Sequence, residues 1–147
     1  MKSSIILAGA LLLANGAASA HVVVGPRESA PGETVTYSVL VPSHLEATTI
    51  ALELEIPAGV EIVSIGETPG GHKVSKTPAG ETSVRWTTKI PKDERATLTF
   101  VAKNPAAEGE LAWKAHQVYD NGVTIDWVEP KGGKETASIT KVVAPAK

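Results

Sequence analysis

Four histidines, His21, His44, His72 and His116, are the residues of this chain best suited to metal chemistry, and no cysteine accompanies them. The one methionine is Met1, so a chain that lost its first residues would carry no sulfur at all. Soft metals such as Cu(I) favour thiolate and thioether ligands, whereas imidazole and amine nitrogens suit Cu(II), which also tops the divalent affinity order. His21 stands directly after Ala18-Ser19-Ala20, a small-x-small peptidase pattern. A cut after Ala20 would make His21 the first residue, with its α-amine and ring Nδ1 placed to close a six-membered chelate on one metal ion. An α-amine has a pKa of about 8, so a metal displaces its proton readily near neutral pH. A cut after Ala18 would instead leave His21 in third place, where Cu(II) is bound through deprotonated backbone amides in a square plane.

One further histidine would complete a T-shaped set of three nitrogens, a histidine brace. His44 is the candidate, because it follows Val41-Pro42-Ser43 at the exit of a predicted strand, in a loop that ends at Thr48. Glu46, in the same loop, is a candidate oxygen ligand. A lone loop histidine is ordinarily solvated surface, and a terminal residue ordinarily frays. The peptidase pattern lifts His21 above that bland reading. His72, beside Gly70-Gly71, and His116, on a strand facing opposite to Trp113, read as surface or boundary residues. Trp113 and Trp127 fall on the two strands of a predicted hairpin and belong first to the core. Trp127, near the hairpin's open end between Asp126 and Glu129, is the one that can lie close to a metal at His21.

Other chemistries find little support. No serine has a Gly-x-Ser-x-Gly setting, cysteine nucleophiles are excluded, and no Gly-rich loop joins a strand to a helix as phosphate binding requires. The pairs Glu53/Glu55 and Glu108/Glu110 sit on predicted outer faces or in loops, whereas the carboxylate pairs of glycosidases work in a cleft.

The elements that must position these residues are strands. Thr34 to Val41 alternates, with Val35, Tyr37, Val39 and Val41 on one face. Thr49 to Ile56 is expected to turn Ile50, Leu52, Leu54 and Ile56 inward and Glu53 and Glu55 outward. Further strands are predicted over Val60 to Ile65, Ser83 to Ile90, Arg95 to Lys103, Glu110 to Tyr119, Val123 to Val128 and Glu135 to Val143, with a weaker one over His72 to Lys76. Asp120-Asn121-Gly122 reads as a tight hairpin turn, because Asn-Gly tolerates positive φ. About nine or ten short strands with turn signals every 8–12 residues or so mark an all-β, immunoglobulin-like antiparallel β-sandwich.

Residues 1–20 read as a signal peptide: Lys2 gives a basic start, Ile5 to Ala14 an apolar run, and Ala18-x-Ala20 the cut. That run is shorter than the about 20 residues a membrane span needs. Residues 21–147 are then expected as one exported domain, periplasmic or secreted, without stable membrane insertion. Loss of Lys2 leaves 13 basic against 16 acidic residues, a formal charge of −3. This mild, scattered charge offers no basic stripe for nucleic acid.

Taken together, these positions resemble the YcnI-like family of exported copper-binding domains. The likeness rests on His21-Val22-Val23-Val24 after the signal, Val41-Pro42-Ser43-His44 with Thr48-Thr49, Ile56-Pro57-x-Gly59-Val60, and Trp113-Lys114-Ala115-x-Gln117-x-Tyr119 leading through Asp120-Asn121-Gly122 to Asp126-Trp127. It spans nearly all of residues 21–143. The resemblance implies a β-sandwich holding one Cu(II) per chain through the His21 amine and imidazole, with a ligand from the loop at His44 and the Trp127 indole beside the metal. This chain departs from part of that family at the loop position, where an acidic residue is common and His44 stands here. That shifts the expected site toward nitrogen ligands.

The function these readings imply is copper carriage or storage in copper homeostasis, with a copper transporter or a copper-enzyme assembly factor as partner, and no catalysis. Two alternatives stand beside it. Polysaccharide monooxygenases also use an N-terminal histidine brace, but they need an aromatic-bearing substrate face, and aromatic residues are only 4% of this chain. A metal-free interaction module is the commoner use of an immunoglobulin-like sandwich.

Overall fold

Alternating burial along the strands is what builds this fold, seen here in a computed structural model that describes residues 21–145. The expected signal peptide, residues 1–20, lies outside the described residues, as do the last two. In chain order the strands are β1 (Val23–Gly25), β2 (Glu28–Ser29), β3 (Thr34–Pro42), β4 (Thr49–Glu55), β5 (Glu61–Ile65), β6 (His72–Lys76), β7 (Thr82–Ile90), β8 (Arg95–Lys103), β9 (Gly109–Tyr119), β10 (Thr124–Trp127) and β11 (Ser138–Val142). One sheet has the order β1-β3-β8-β5; the other runs β2-β11-β9-β4-β7-β6, with β10 also paired to β9. No described helix is long and apolar enough to cross a membrane. The expected all-β architecture is the one observed.

The sheets meet over an aromatic core. Tyr37 and Phe100 from one sheet stack at 5.4 Å, and Trp113 from the other packs 4.9 Å from Tyr37 and 5.6 Å from Phe100. Such offset and edge-on contacts between large rings add to the apolar area they remove from water. All six aromatic side chains of the chain (Tyr37, Trp86, Phe100, Trp113, Tyr119 and Trp127) are buried.

One inward-facing expectation is corrected. Ile50 is 39% exposed, while Thr49 and Ala51 on either side of it are buried. Register with β9 passes from Thr49↔Tyr119 to Ala51↔Val118, so Ile50 is an extra residue on β4. A bulge of this kind throws the added residue out of the alternation. Thr49 takes the inward position instead, and its hydroxyl enters the site described below.

The end of the fold also differs from expectation. β10 covers the half of β9 near Tyr119, and β11 covers the half near Gly109. Residues 128–137 between them leave the sheet, so 135–137 belong to this excursion and not to the last strand. A Glu129↔Thr136 bridge holds its neck together.

Candidate metal centre

β1 is tied to both sheets, which fixes the position of the residues just before it. It pairs with β3 at Val23↔Leu40, and the Val24 amide donates to Ser138 Oγ on β11 at 2.9 Å. Thr140 Oγ1, also on β11, donates to the Pro26 carbonyl at 2.9 Å. His21 precedes this anchored strand by two residues. Its half-buried ring lies 5.1 Å from the Trp127 ring, tilted by 50°. Its Nε2 lies 3.1 Å from the Lys134 carbonyl oxygen. A carbonyl only accepts, so Nε2 carries a proton, and in the neutral ring Nδ1 is then the nitrogen with the lone pair. That is the tautomer an amine–Nδ1 chelate requires.

Trp127 is held as firmly. It is 3% exposed, faces the core, and pairs with Ala115 across β10 and β9. Its indole Nε1–H donates to Gln117 Oε1 at 3.0 Å. The Gln117 amide in turn donates to the Pro42 carbonyl and to Thr49 Oγ1, both at 2.9 Å. Ser43 Oγ lies 2.9 Å from Thr49 Oγ1. Every polar atom of the fully buried Gln117 side chain is thus engaged, as burial demands. Gln117 stands in the quoted sequence motif, yet no role was expected of it. Its signal was a polar residue at an inward position between Ala115 and Tyr119.

The His21 ring opens onto a groove of about 1210 Å³ that runs over the outer face of β11 and is walled by residues 128–133. His44 and Glu46 are not among its lining residues. His44 is exposed, and its backbone lies beside the Tyr119 hydroxyl at the end of β9. The Glu46 carboxylate sits 3.2 Å from Lys92 Nζ. The loop of His44 is nonetheless joined to Trp127, through Ser43, Thr49 and Gln117. Among the described residues, no three histidine, aspartate or glutamate side chains cluster closely enough to hold a metal ion. A main-chain amine beside one imidazole does not depend on such a cluster.

His116 and His72 do not line the groove beside His21. His72 begins the exposed edge strand β6. His116 lies on the outer face, with Nε2 2.7 Å from Glu55 and Nδ1 2.6 Å from Asp126. Burial alone would lower its pKa, but the hydrogen bonds and charges of Asp126 and Glu55 outweigh burial and raise it above the ordinary imidazole value. Both ring nitrogens are donors in that charged state, and the ring clips β4, β9 and β10 together.

The family model described as "Domain of unknown function (DUF1775)" matches residues 21–146. The copper-binding protein CutI of Bacillus subtilis (strain 168) is 36% identical over 143 residues, covering 94% of this chain and 70% of that protein. An uncharacterized Nocardia farcinica protein with an immunoglobulin-like fold superposes with a TM-score of 0.72 at 21% identity, over 86% of this chain and 100% of its own. The third cohesin ScaC of Acetivibrio cellulolyticus, solved in complex with the ScaB dockerin, superposes with a TM-score of 0.54 at 14% identity, over 84% and 99%. At such identities the solved structures establish the immunoglobulin-like fold and nothing about binding.

Proposed function

The chain belongs to the DUF1775 family, the YcnI-like family its motifs resemble, and from that premise we propose that it binds copper(II) outside the cytoplasm as a carrier or store. The observation that carries this reading is the seating of His21: ring against Trp127, Nε2–H on the Lys134 carbonyl, and an open groove beside it. Copper here is cargo. Removal of the signal after Ala20 supplies the amine, and the amine with Nδ1 closes the chelate. Cu(II) favours that nitrogen pair, and the absence of cysteine and of methionine beyond Met1 disfavours Cu(I).

His44 is proposed as the third nitrogen. It is carried by the 43–48 loop, which Ser43, Thr49 and Gln117 join to Trp127. Trp127 shields one side of the ion without ligating it, since indole N–H is a donor only. One ion binds per chain, and a copper transporter or a copper-enzyme assembly factor receives or supplies it. Binding rather than catalysis is supported by the burial of all six aromatic rings, which leaves no exposed ring to stack on a sugar chain.

The test begins with the intact mass of the secreted protein, which locates the cut. Titration of that protein with Cu(II) should then saturate at one equivalent with a nitrogen-rich paramagnetic resonance spectrum. A mass showing a start other than His21, or no stoichiometric uptake, rejects the proposal.

A further inference from the structure

We infer that Glu129 is a positioning residue for the copper site: its carboxylate holds the backbone N–H of Lys134 so that the carbonyl of the same residue keeps His21 in the Nε2–H tautomer. Glu129 Oε1 accepts the Lys134 backbone N–H at 2.9 Å. The carbonyl of Lys134, in the next peptide unit, faces His21 Nε2 at 3.1 Å. The chain from carboxylate to imidazole is therefore two hydrogen bonds long and passes through one residue.

The turn between them is built for that contact. Gly133 N–H donates to the Pro130 carbonyl at 3.0 Å, and the Glu129 N–H donates to the Glu135 carbonyl at 2.9 Å. A Cβ placed on Gly133 would collide with Glu129 Oε1 and lie 2.8 Å from Glu129 Cβ. Only a residue without a side chain lets the carboxylate lie this close to the turn. Gly132, at φ +97°, also takes a conformation that favours glycine. Pro130-Lys131-Gly132-Gly133 thus folds around Glu129 and delivers Lys134 to His21.

The chemical consequence follows from the two ring nitrogens. An imidazole whose Nε2 holds the proton offers Nδ1 to the metal, and a carbonyl on Nε2–H fixes the ring plane as well. In the other tautomer Nδ1 would carry the proton, and closing the amine–Nδ1 chelate would first require moving it. Loss of such an outer partner commonly weakens metal binding by about 10- to 100-fold.

This inference rests on the proposed copper chelate, but its first readout needs no copper. In the metal-free mature protein, nitrogen-15 NMR of the neutral His21 ring should show the Nε2–H tautomer predominating. Glu129→Ala should give a mixture of tautomers. Glu129→Gln, whose amide oxygen still accepts from Lys134, should match the unaltered protein. Gly133→Ala, which displaces the carboxylate by a different route, should resemble Glu129→Ala. With Cu(II), the alanine variants should bind about 10- to 100-fold more weakly with a shifted paramagnetic resonance spectrum, and Glu129→Gln should not. Unchanged tautomer, affinity and spectrum in both alanine variants overturn the inference. So does a glutamine variant as impaired as Glu129→Ala, because that would make the charge itself the requirement. If the unaltered mature protein takes up no copper, the proposed function fails while the tautomer comparison still decides the role of Glu129.

Discussion

The imidazole of His21 and the indole of Trp127 lie 5.1 Å apart, centroid to centroid, two residues ahead of β1. A paramagnetic ion chelated by His21 would sit within contact range of one tryptophan of three. Cu(II) should therefore quench tryptophan fluorescence, and Trp127→Phe should abolish most of the quench. Copper uptake followed by paramagnetic resonance should persist in that variant, since the indole is not a ligand. A quench that survives Trp127→Phe would put the metal elsewhere.

Gln117 holds Trp127 in place, so its removal should be felt in stability before binding. Gln117→Leu leaves the Trp127 Nε1–H and the Pro42 carbonyl without their shown partner in a buried setting. Orphaning a buried polar group costs about 1–3 kcal/mol. Chemical denaturation should show a loss of at least that order. A variant as stable as the unaltered protein would mean that the network is replaceable.

The clip of Glu55, His116 and Asp126 predicts a pH dependence. The folded-state pKa of His116 is raised, so its contribution is fully present below the unfolded imidazole value of about 6.5 and fades as pH rises through the folded value. The melting temperature of His116→Gln should thus fall further below that of the unaltered protein at pH 6 than at pH 9. A gap that stays constant, or widens with pH, contradicts the charged clip.

His44 separates a three-nitrogen site from a two-nitrogen one. His44→Ala should weaken Cu(II) binding about tenfold or more, roughly 1.4 kcal/mol, and remove one nitrogen coupling from the resonance spectrum. Glu46→Ala should have a smaller effect, because Glu46 is paired with Lys92. An unaltered spectrum in His44→Ala would assign the third position to another donor.

Much of this was legible in the chain. Val35, Tyr37, Val39 and Val41 alternate inward as their spacing dictates, and Asn121-Gly122 makes the expected hairpin, with the Tyr119 amide on the Val123 carbonyl at 2.9 Å. Trp127 was legible as a core residue that could also neighbour His21. The bulge at Ile50 was not, because it is set by register against β9 and leaves no mark on local alternation. β2 pairs in parallel with β11 over two residues, too few to carry a pattern. The groove wall was hidden for a related reason. Glu135 to Val143 reads as one strand, but β11 pairs only from Ser138, and the preceding residues turn back to carry Lys134 to His21. A backbone carbonyl that sets a tautomer has no side-chain signature.

The account stands on an amine and an imidazole belonging to the same residue. The most direct measurement compares Cu(II) titrations of two proteins, one beginning at His21 and one keeping Ala20 before it. The first should bind one equivalent tightly; the second, its amine converted to an amide, should lose at least about 100-fold in affinity, roughly 2.8 kcal/mol. Equal affinities would contradict the chelate.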